Sequence, residues 1–167
     1  MQPFSCSLVS DRPPVVLNVP DAIERELVLP VPPARVWAAL TEPDGLSAWF
    51  GTRAIVDLKP GGSLTFIWDS DGERFTRRGQ VAAVEPPRRF AFRWQPFAGY
   101  ENAPLSESPT TLVEFTLEEH PEGTRLRVVE SGFASLPPEF RGTSFEQNTR
   151  GWQRELDELA AYIATLV

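Results

Sequence analysis

The C-terminal part of the chain carries the pattern that most restricts its fold. In TSFEQNTRGWQRELDELAAYIATLV, one stripe of side chains recurs at helical spacing, and the opposite face is charged. The stripe consists of Phe145, Thr149, Trp152, Leu156, Leu159, Ile163 and Leu166, and the charged face of Arg150, Glu155, Asp157 and Glu158. Thr143 and Glu146 have the spacing of a capping box, which predicts that a long helix begins there. Because only one face is apolar, this helix must pack against another layer.

The preceding hundred residues predict that layer. Runs of alternating apolar and polar residues are separated by turn sequences such as KPGG, SDGE and EHPEG. The predicted strands are AIERELVLP, TRAIVDL, SLTFIWD, RFTRRGQVAAVEP, FAFRW, TTLVEFTLE and TRLRVVES, with a candidate bulge at Gly79. Because turns join neighbouring runs, we expect an antiparallel sheet.

Between the first two strands, VWAALTEPDGLSAWFG predicts two short helices with a corner at Pro43 to Gly45. Val36 and Leu40 are expected to anchor this pair to the core, and Trp49 and Phe50 to face a void. The element order therefore predicts an α+β fold in which a curved antiparallel sheet of about seven strands surrounds the long C-terminal helix. We expect one domain over residues 22–167 and a proline-rich arm over residues 1–21, extended or disordered, with a short strand at Val15 to Leu17.

Composition limits the partners. The net charge is −7 and the isoelectric point is about 4.8, which argues against nucleic acid or an anionic membrane as the main partner. The chain has one cysteine, Cys6, and one histidine, His120, so it lacks the residues for an internal disulfide or a multi-histidine metal site. No metal and no cofactor are expected. Without a signal peptide or an apolar run near the ~20 residues of a membrane span, we expect a soluble, cytoplasmic protein.

Several motifs, in their order along the chain, resemble the activator of heat-shock-protein-ninety ATPase homologue family, part of the START-like SRPBCC superfamily. They are VWAALTEPDGLSAWF, the glycine pair at 61 and 62, GQVAAVEPPRRFAFRW, TLVEFTLEEHPEGTRLRVVESGF and GWQRELDELAAYI. The resemblance extends from about Ile23 to the C-terminus and implies the helix-grip fold of the birch pollen allergen. It also implies a range of roles, since members bind lipids, hormones or polyketides, catalyse cyclisation or dehydration, or assist a chaperone. It carries over no catalytic motif.

Aromatic side chains at alternating strand positions predict a core that also borders a ligand cavity between sheet and helix. The candidate lining residues are Trp49, Phe50, Trp68, Phe92, Trp94, Phe115, Glu130, Trp152 and Leu156. Residues 95–109 form a long connection that is a candidate lid. The expected ligand is a small apolar or amphipathic molecule.

Three charged or titratable positions leave alternatives open. Glu130 is in phase with Leu126 and Val128, so it is either a buried carboxylate, and then a candidate general acid or base, or a rim residue paired with an arginine. Of Arg77 and Arg78, one must face inward unless Gly79 bulges; an inward arginine could bind a ligand carboxylate, and a rim salt bridge is the alternative. His120 is expected to be a solvated turn residue.

Three functions remain compatible with these residues. The first is a binding module, monomeric or dimeric, for a small molecule. The second is a chaperone co-factor or other protein-interaction module. The third is a cyclase- or dehydratase-like enzyme that uses the same cavity, with a carboxylate and a tyrosine such as Tyr100. The absence of a nucleophile–base pair in the sequence favours a non-enzymatic role.

Overall fold

The computed structural model describes residues 19–95 and 103–167. Its strands are β1 Ala22–Leu29, β2 Arg53–Val56, β3 Ser63–Ser70, β4 Glu73–Glu85, β5 Arg89–Trp94, β6 Thr111–His120 and β7 Gly123–Ser131. Its helices are α1 Pro33–Thr41, α2 Pro43–Trp49 and α3 Pro138–Ala164, and short 3₁₀ turns span Leu105–Glu107 and Phe133–Ser135. The described strands form one curved antiparallel sheet in the order β1-β7-β6-β5-β4-β3-β2. The predicted α+β helix-grip fold is therefore confirmed.

The register shows which side chains face α3, because directly paired residues of antiparallel strands share a face of the sheet. Glu130 pairs with Ile23 on one side and with Val113 on the other, so it lies in a row of buried apolar residues. Phe66, which is buried, pairs with Arg77 across β3 and β4. The register thus places a carboxylate and a guanidinium on the helix-facing side of the sheet.

The prediction of a bulge at Gly79 is wrong. Gly79 pairs regularly with Leu64 and Trp94, and the register shift of β4 lies between Val81 and Ala83. A Cβ at Gly79 would lie 2.4 Å from the carbonyl oxygen of Arg93, so glycine is needed here for close approach of two strands. Because the alternation is regular before the shift, Arg77 faces inward and the exposed Arg78 faces outward.

The two short helices are present as predicted, but the corner between them is at Glu42, and residues 43–45, which were predicted to form it, are the first turn of α2. Val36 and Leu40 are fully buried and anchor α1 to the core. A Cβ at Gly45 would lie 2.8 Å from both the carbonyl oxygen of Ala38 and the Cα of Ala39, so this glycine allows α2 to approach α1. The corner after Thr41 is thereby tight enough for the pair to cover one end of the sheet.

The long helix begins five residues before the predicted capping box. Pro137 is the N-cap and Pro138 occupies the first turn, where its fixed φ and missing N–H cost nothing. Thr143 lies within the helix, so the predicted N-terminus was wrong. The one-sided apolar character is confirmed, since the stripe buries Trp152, Leu156, Leu159 and Ile163. It also buries three polar residues, Ser144, Asn148 and Glu155.

Several predictions fall outside the described residues. They concern residues 1–18, with Cys6 and the strand at Val15 to Leu17, and residues 96–102, with Tyr100. In the described ranges, no helix is both long enough and apolar enough to cross a membrane. Those same ranges contain no group of three or more His, Cys, Asp or Glu side chains placed to hold a metal ion.

Candidate functional site

An open cleft of about 680 Å³ lies between α3 and strands β3 and β4. Five aromatic side chains line it: the exposed Phe75 and four that form its floor, Phe50, Trp68, Trp94 and Trp152. Arg77 and Asn148 border the cleft from the sheet and the helix, and Gly151 and Glu155 lie further along the same helix. The cleft therefore combines aromatic side chains with charged and polar side chains from both the sheet and the helix.

Phe50 is the centre of the aromatic floor. Its ring stacks on Trp94 and on Trp152, each with its centroid 5.7 Å away and with interplanar angles of 27° and 20°. It also makes edge contacts with Phe66 at 4.6 Å and with Trp68 at 5.5 Å. Because these rings are in van der Waals contact, the space beneath the floor is filled by aromatic packing.

The structure divides the candidate lining residues into two groups. Phe50, Trp68, Trp94 and Trp152 line the cleft. The remaining candidates are buried in the core and do not line it: Trp49, Phe92, Phe115, Glu130 and Leu156.

Trp49, one of the candidate lining residues, joins the two short helices and does not line the cleft. Its Nε1 donates a hydrogen bond of 2.8 Å to the carbonyl oxygen of Ala39, which ties α2 to α1. The ring is almost fully buried. Trp49 and Phe50 are therefore placed differently, one between the helices and the other at the cleft.

Glu130 is fully buried beneath the floor, so the rim alternative was wrong. Trp152 Nε1 donates to its Oε1 at 2.8 Å, and Trp94 Nε1 donates to its Oε2 at 2.8 Å. Thr111 Oγ1 donates to Oε2 at 2.5 Å, and Asn148 Nδ2 donates to both oxygens at 3.0 and 3.1 Å. These four donors are neutral groups, and together they satisfy a carboxylate that water does not reach.

This carboxylate positions the polar groups of the cleft. By accepting from both indoles, Glu130 fixes the rotation of Trp94 and Trp152 in the floor. Asn148, held by Glu130 through its amide nitrogen, accepts from Arg77 Nη1 at 3.4 Å through its amide oxygen. The Arg77 guanidinium lies 4.9 Å from the ring centroid of Trp94 and 5.8 Å from that of Trp68, which is cation–π range. Arg77 is therefore held at the floor from two directions.

Glu155 is a second buried carboxylate, and it lies in the cleft. Its Oε1 accepts from Arg154 Nη2 at 3.4 Å, whereas its Oε2 has no hydrogen-bond partner in the described part of the chain. Burial raises the pKa of Glu155 to about 7, and the charge of Glu158 adds to this increase. Arg154 and the indole of Trp68 lower the pKa by less. Trp68 Nε1 is near enough to act on the carboxylate, yet it too lacks a partner with hydrogen-bond geometry among the described residues.

Gly151 gives the cleft its open side. It lies in the middle of α3, and a Cβ added there would meet no atom of the described residues within 4 Å apart from its chain neighbours and the adjoining helix backbone. Glycine within a helix costs about 1 kcal/mol relative to alanine, so its presence here is not explained by helix stability. Its effect is to leave the helix surface facing the cleft unfilled.

Sequence reasoning missed Thr111, Asn148, Gly151 and Glu155. Glu155 was assigned to the charged face, although it is three residues after Trp152 and four before Leu159 and so borders the buried stripe. That spacing was the available signal. Thr111 alternates in phase with Val113 and Phe115, and Asn148 precedes Trp152 by four residues, so the sequence indicated that both face inward. It did not indicate that they meet at Glu130, which is distant in the chain.

Two other predicted features lie away from the floor. His120 ends β6, and its Nδ1 accepts a hydrogen bond of 3.1 Å from the backbone N–H of Glu122, which makes it a turn residue. In the candidate lid, Gln95 Nε2 donates to Ser108 Oγ at 2.8 Å and so joins the two ends of the connection. Closure by this segment stays a prediction, because residues 96–102 lie outside the described ranges.

Comparisons with known proteins agree with this fold. The family model for the activator of Hsp90 ATPase homolog 1-like protein matches residues 30–164. Comparison with curated proteins gave no match. A Mesorhizobium loti protein of known structure is 24% identical, with a TM-score of 0.69, over 86% of this chain and 97% of that one. An AHSA1-like protein from Aeromonas hydrophila is 22% identical, with a TM-score of 0.68, over 87% and 93%. These two likenesses show the fold alone.

A putative protein of the dynemicin biosynthetic locus is 28% identical, with a TM-score of 0.66. The match covers 87% of this chain and 48% of that one, so the present chain corresponds to about half of the other protein. The fold shared by these proteins is consistent with a START-like ligand-binding domain. Since the family model spans most of the sequence, the chain belongs to the activator of Hsp90 ATPase homolog 1-like family.

Proposed function

We propose that the protein binds a small amphipathic molecule in the cleft between α3 and strands β3 and β4. The observation that carries this proposal is a floor of four aromatic rings at the base of a cleft of about 680 Å³. Small-molecule sites are concave, mostly apolar and roughly 300–1,000 Å³ in volume, with a few polar groups that orient the ligand. The half-buried Trp68 and the exposed Phe75 offer apolar surface, and Arg77 and Glu155 offer polar groups.

The network beneath the floor supports a pre-formed site. Trp94 and Trp152 are almost fully buried and are held by Glu130, so the base of the cleft is already ordered before a ligand binds. Gly151 supports the same conclusion, since a larger residue would make a more stable helix but would occupy the cleft. The 28% identity to a protein of a biosynthetic locus agrees with a small-molecule partner.

A variant that fills the cleft tests the proposal. Gly151→Trp places a large side chain in space that is empty in the described structure, whereas Gly151→Ala adds one methyl group at the same position and serves as the matched control. The assays are native mass spectrometry of protein purified without added ligand and titration with 1-anilinonaphthalene-8-sulfonate. We expect saturable dye binding by the wild type and Gly151→Ala, at least about 10-fold weakened in Gly151→Trp, and the same dependence for any co-purified mass.

Two results would contradict the proposal. One is a wild-type protein that neither carries a bound molecule nor binds the dye saturably. The other is equal binding by Gly151→Trp and Gly151→Ala when circular dichroism shows both to be folded, because the bound molecule would then lie elsewhere.

The family description supports a second candidate, interaction with a chaperone. The observation that favours it is exposed apolar surface beside the edge strand β2, where the exposed fractions are 48% for Ile55 and 39% for Leu58. Exposed apolar side chains at a sheet edge are frequent at protein interfaces. The test is the ATPase rate of purified Hsp90 with wild-type protein and with Ile55→Glu; an effect present with the wild type and absent with the variant would support this role.

A further inference from the structure

We infer that a ligand binds in the cleft together with a proton, which the Glu155 carboxylate takes up, so that pH regulates the proposed site. This inference rests on the proposed function and adds its regulation. It begins with the position of Glu155, which lines the cleft from α3 although its side chain is only 7% exposed. A carboxylate in the wall of an open cleft is stabilised in its charged form by the water that fills the cleft.

Glu155 has few hydrogen-bond donors compared with Glu130. Glu130 accepts from four neutral groups, whereas Glu155 accepts one hydrogen bond in the described part of the chain, from Arg154 Nη2 at 3.4 Å. Its Oε2 and the nearby Trp68 Nε1 both lack a hydrogen-bond partner among the described residues. A buried carboxylate with so few donors favours the protonated, neutral form.

The neighbouring charges of α3 do not compensate for this burial. Arg154 pairs with Glu155, but 68% of the Arg154 side chain is exposed, and an ion pair in contact with water contributes little. Glu158, one turn further along the helix, is exposed, and its like charge adds to the effect of burial on the pKa of Glu155. Arg150 also borders the cleft and is exposed. Burial therefore decides the direction, toward the neutral form.

The sheet and α2 complete the surroundings of the cleft. On β3, Asp69 is paired with Arg74 at 2.8 Å. On β4, Arg77 Nη1 donates to Asn148 Oδ1 at 3.4 Å. Phe50, which follows α2, contributes an aromatic ring and no charge. These groups are present whether the cleft is empty or filled, so the part of the environment of Glu155 that a ligand changes is the water.

A ligand in the cleft should raise the pKa of Glu155 further. Burial already raises it to about 7, so near neutral pH the free protein is a mixture of protonated and charged forms. A ligand on the floor displaces water that stabilises the charged form only. The complex therefore keeps a proton that the free protein partly releases, and by linkage the ligand binds more tightly at lower pH. The single histidine, His120, does not line the cleft.

A neutral probe tests this coupling, because its own charge does not change with pH. N-Phenyl-1-naphthylamine stays uncharged near neutral pH, and its fluorescence increases in apolar surroundings. Fluorescence titration at a series of pH values gives its dissociation constant. For the wild type we expect this constant to be about 5-fold higher at about pH 8 than at about pH 6.

Two variants of α3 form a matched pair. Glu155→Gln removes the titrating group and mimics its neutral form, so its dissociation constant should stay near the wild-type value of about pH 6 at every pH. Glu158→Gln makes the same charge change at an exposed position of the same cleft. It should keep the pH dependence, displaced to slightly lower pH because a like charge near Glu155 is lost. Circular dichroism at each pH checks that every variant is folded.

Each remaining outcome contradicts the inference in a distinguishable way. If the wild type binds the probe equally at both pH values, the cleft binds ligands without taking up a proton, and the proposed function stands. Tighter binding at the higher pH would mean that a ligand strengthens the pair of Arg154 and Glu155 instead. An equal pH dependence in Glu155→Gln would assign the proton to another group. If the folded wild type does not bind the probe saturably, the proposed function fails together with the inference.

Discussion

Replacing Glu130 by glutamine should strongly destabilise the fold, although the two side chains have nearly the same shape. The carboxylate receives hydrogen bonds from Trp94, Thr111, Asn148 and Trp152, and all four groups point a hydrogen at it. Glutamine offers one oxygen and one NH₂ group. In either orientation of its amide, the NH₂ group faces donors.

The less costly orientation places NH₂ at the Oε1 position, next to Trp152 Nε1 and Asn148 Nδ2. The indole is a donor only, so it loses its acceptor in the core. Flipping the Asn148 amide would relieve one conflict but would turn its NH₂ toward Arg77. An unsatisfied buried donor costs about 1–3 kcal/mol, and each hydrogen bond to a charged group contributes about 1.5–3 kcal/mol. Removal of a desolvated charge offsets part of this loss.

We therefore expect Glu130→Gln to lower the free energy of unfolding by about 3–5 kcal/mol. Urea unfolding, followed by circular dichroism and by tryptophan fluorescence, measures it. Glu119→Gln is the control, because it makes the same charge change at an exposed position of β6 and should shift stability by less than about 0.5 kcal/mol. If Glu130→Gln were also within about 0.5 kcal/mol of wild type, the argument that its donors stabilise the core would be refuted.

Two further predictions concern Glu155 and Gly79. Since the pKa of Glu155 rises to about 7 on folding, the folded protein retains a proton that the unfolded chain loses above about pH 4.5, and stability falls as pH rises from there to about 7. The free energy of unfolding of Glu155→Gln should therefore exceed that of the wild type by up to about 3 kcal/mol at about pH 8 and equal it near pH 4. Urea unfolding of both proteins at each pH measures the difference, and a difference that does not change with pH would contradict the prediction. Gly79→Ala should lower the free energy of unfolding by about 2 kcal/mol, because the added Cβ would lie 2.4 Å from the carbonyl oxygen of Arg93. Gly151→Ala should raise the free energy of unfolding by about 1 kcal/mol, because alanine is the better helix former and meets no packing conflict there. Equal effects of the two substitutions would contradict the packing argument.

Local patterns determined most of the architecture. The alternation in the strands and the one-sided stripe of α3 follow from the periods of a strand and of a helix, about 2 and 3.6 residues. They can therefore be recognised in the sequence without knowledge of the fold. The inward phase of Glu130 was readable for the same reason. Local patterns were insufficient where contacts between distant residues decide the outcome. Thr143 and Glu146 satisfy a capping pattern, yet α3 begins at Pro138. Gly79 allows two strands to approach closely and does not form a bulge.

The site itself was decided by tertiary structure. The donors to Glu130 are 18 to 36 residues away along the chain, on β5, β6 and α3, and no local pattern encodes such a meeting. The same packing placed Phe50 at the cleft and its neighbour Trp49 between two helices. The sequence alone determined that a one-sided helix would lie on a curved sheet with aromatic residues between them. Only the assembled fold decided which aromatic residues fill the core and which remain at the cleft, because that division depends on contacts between elements distant in the chain.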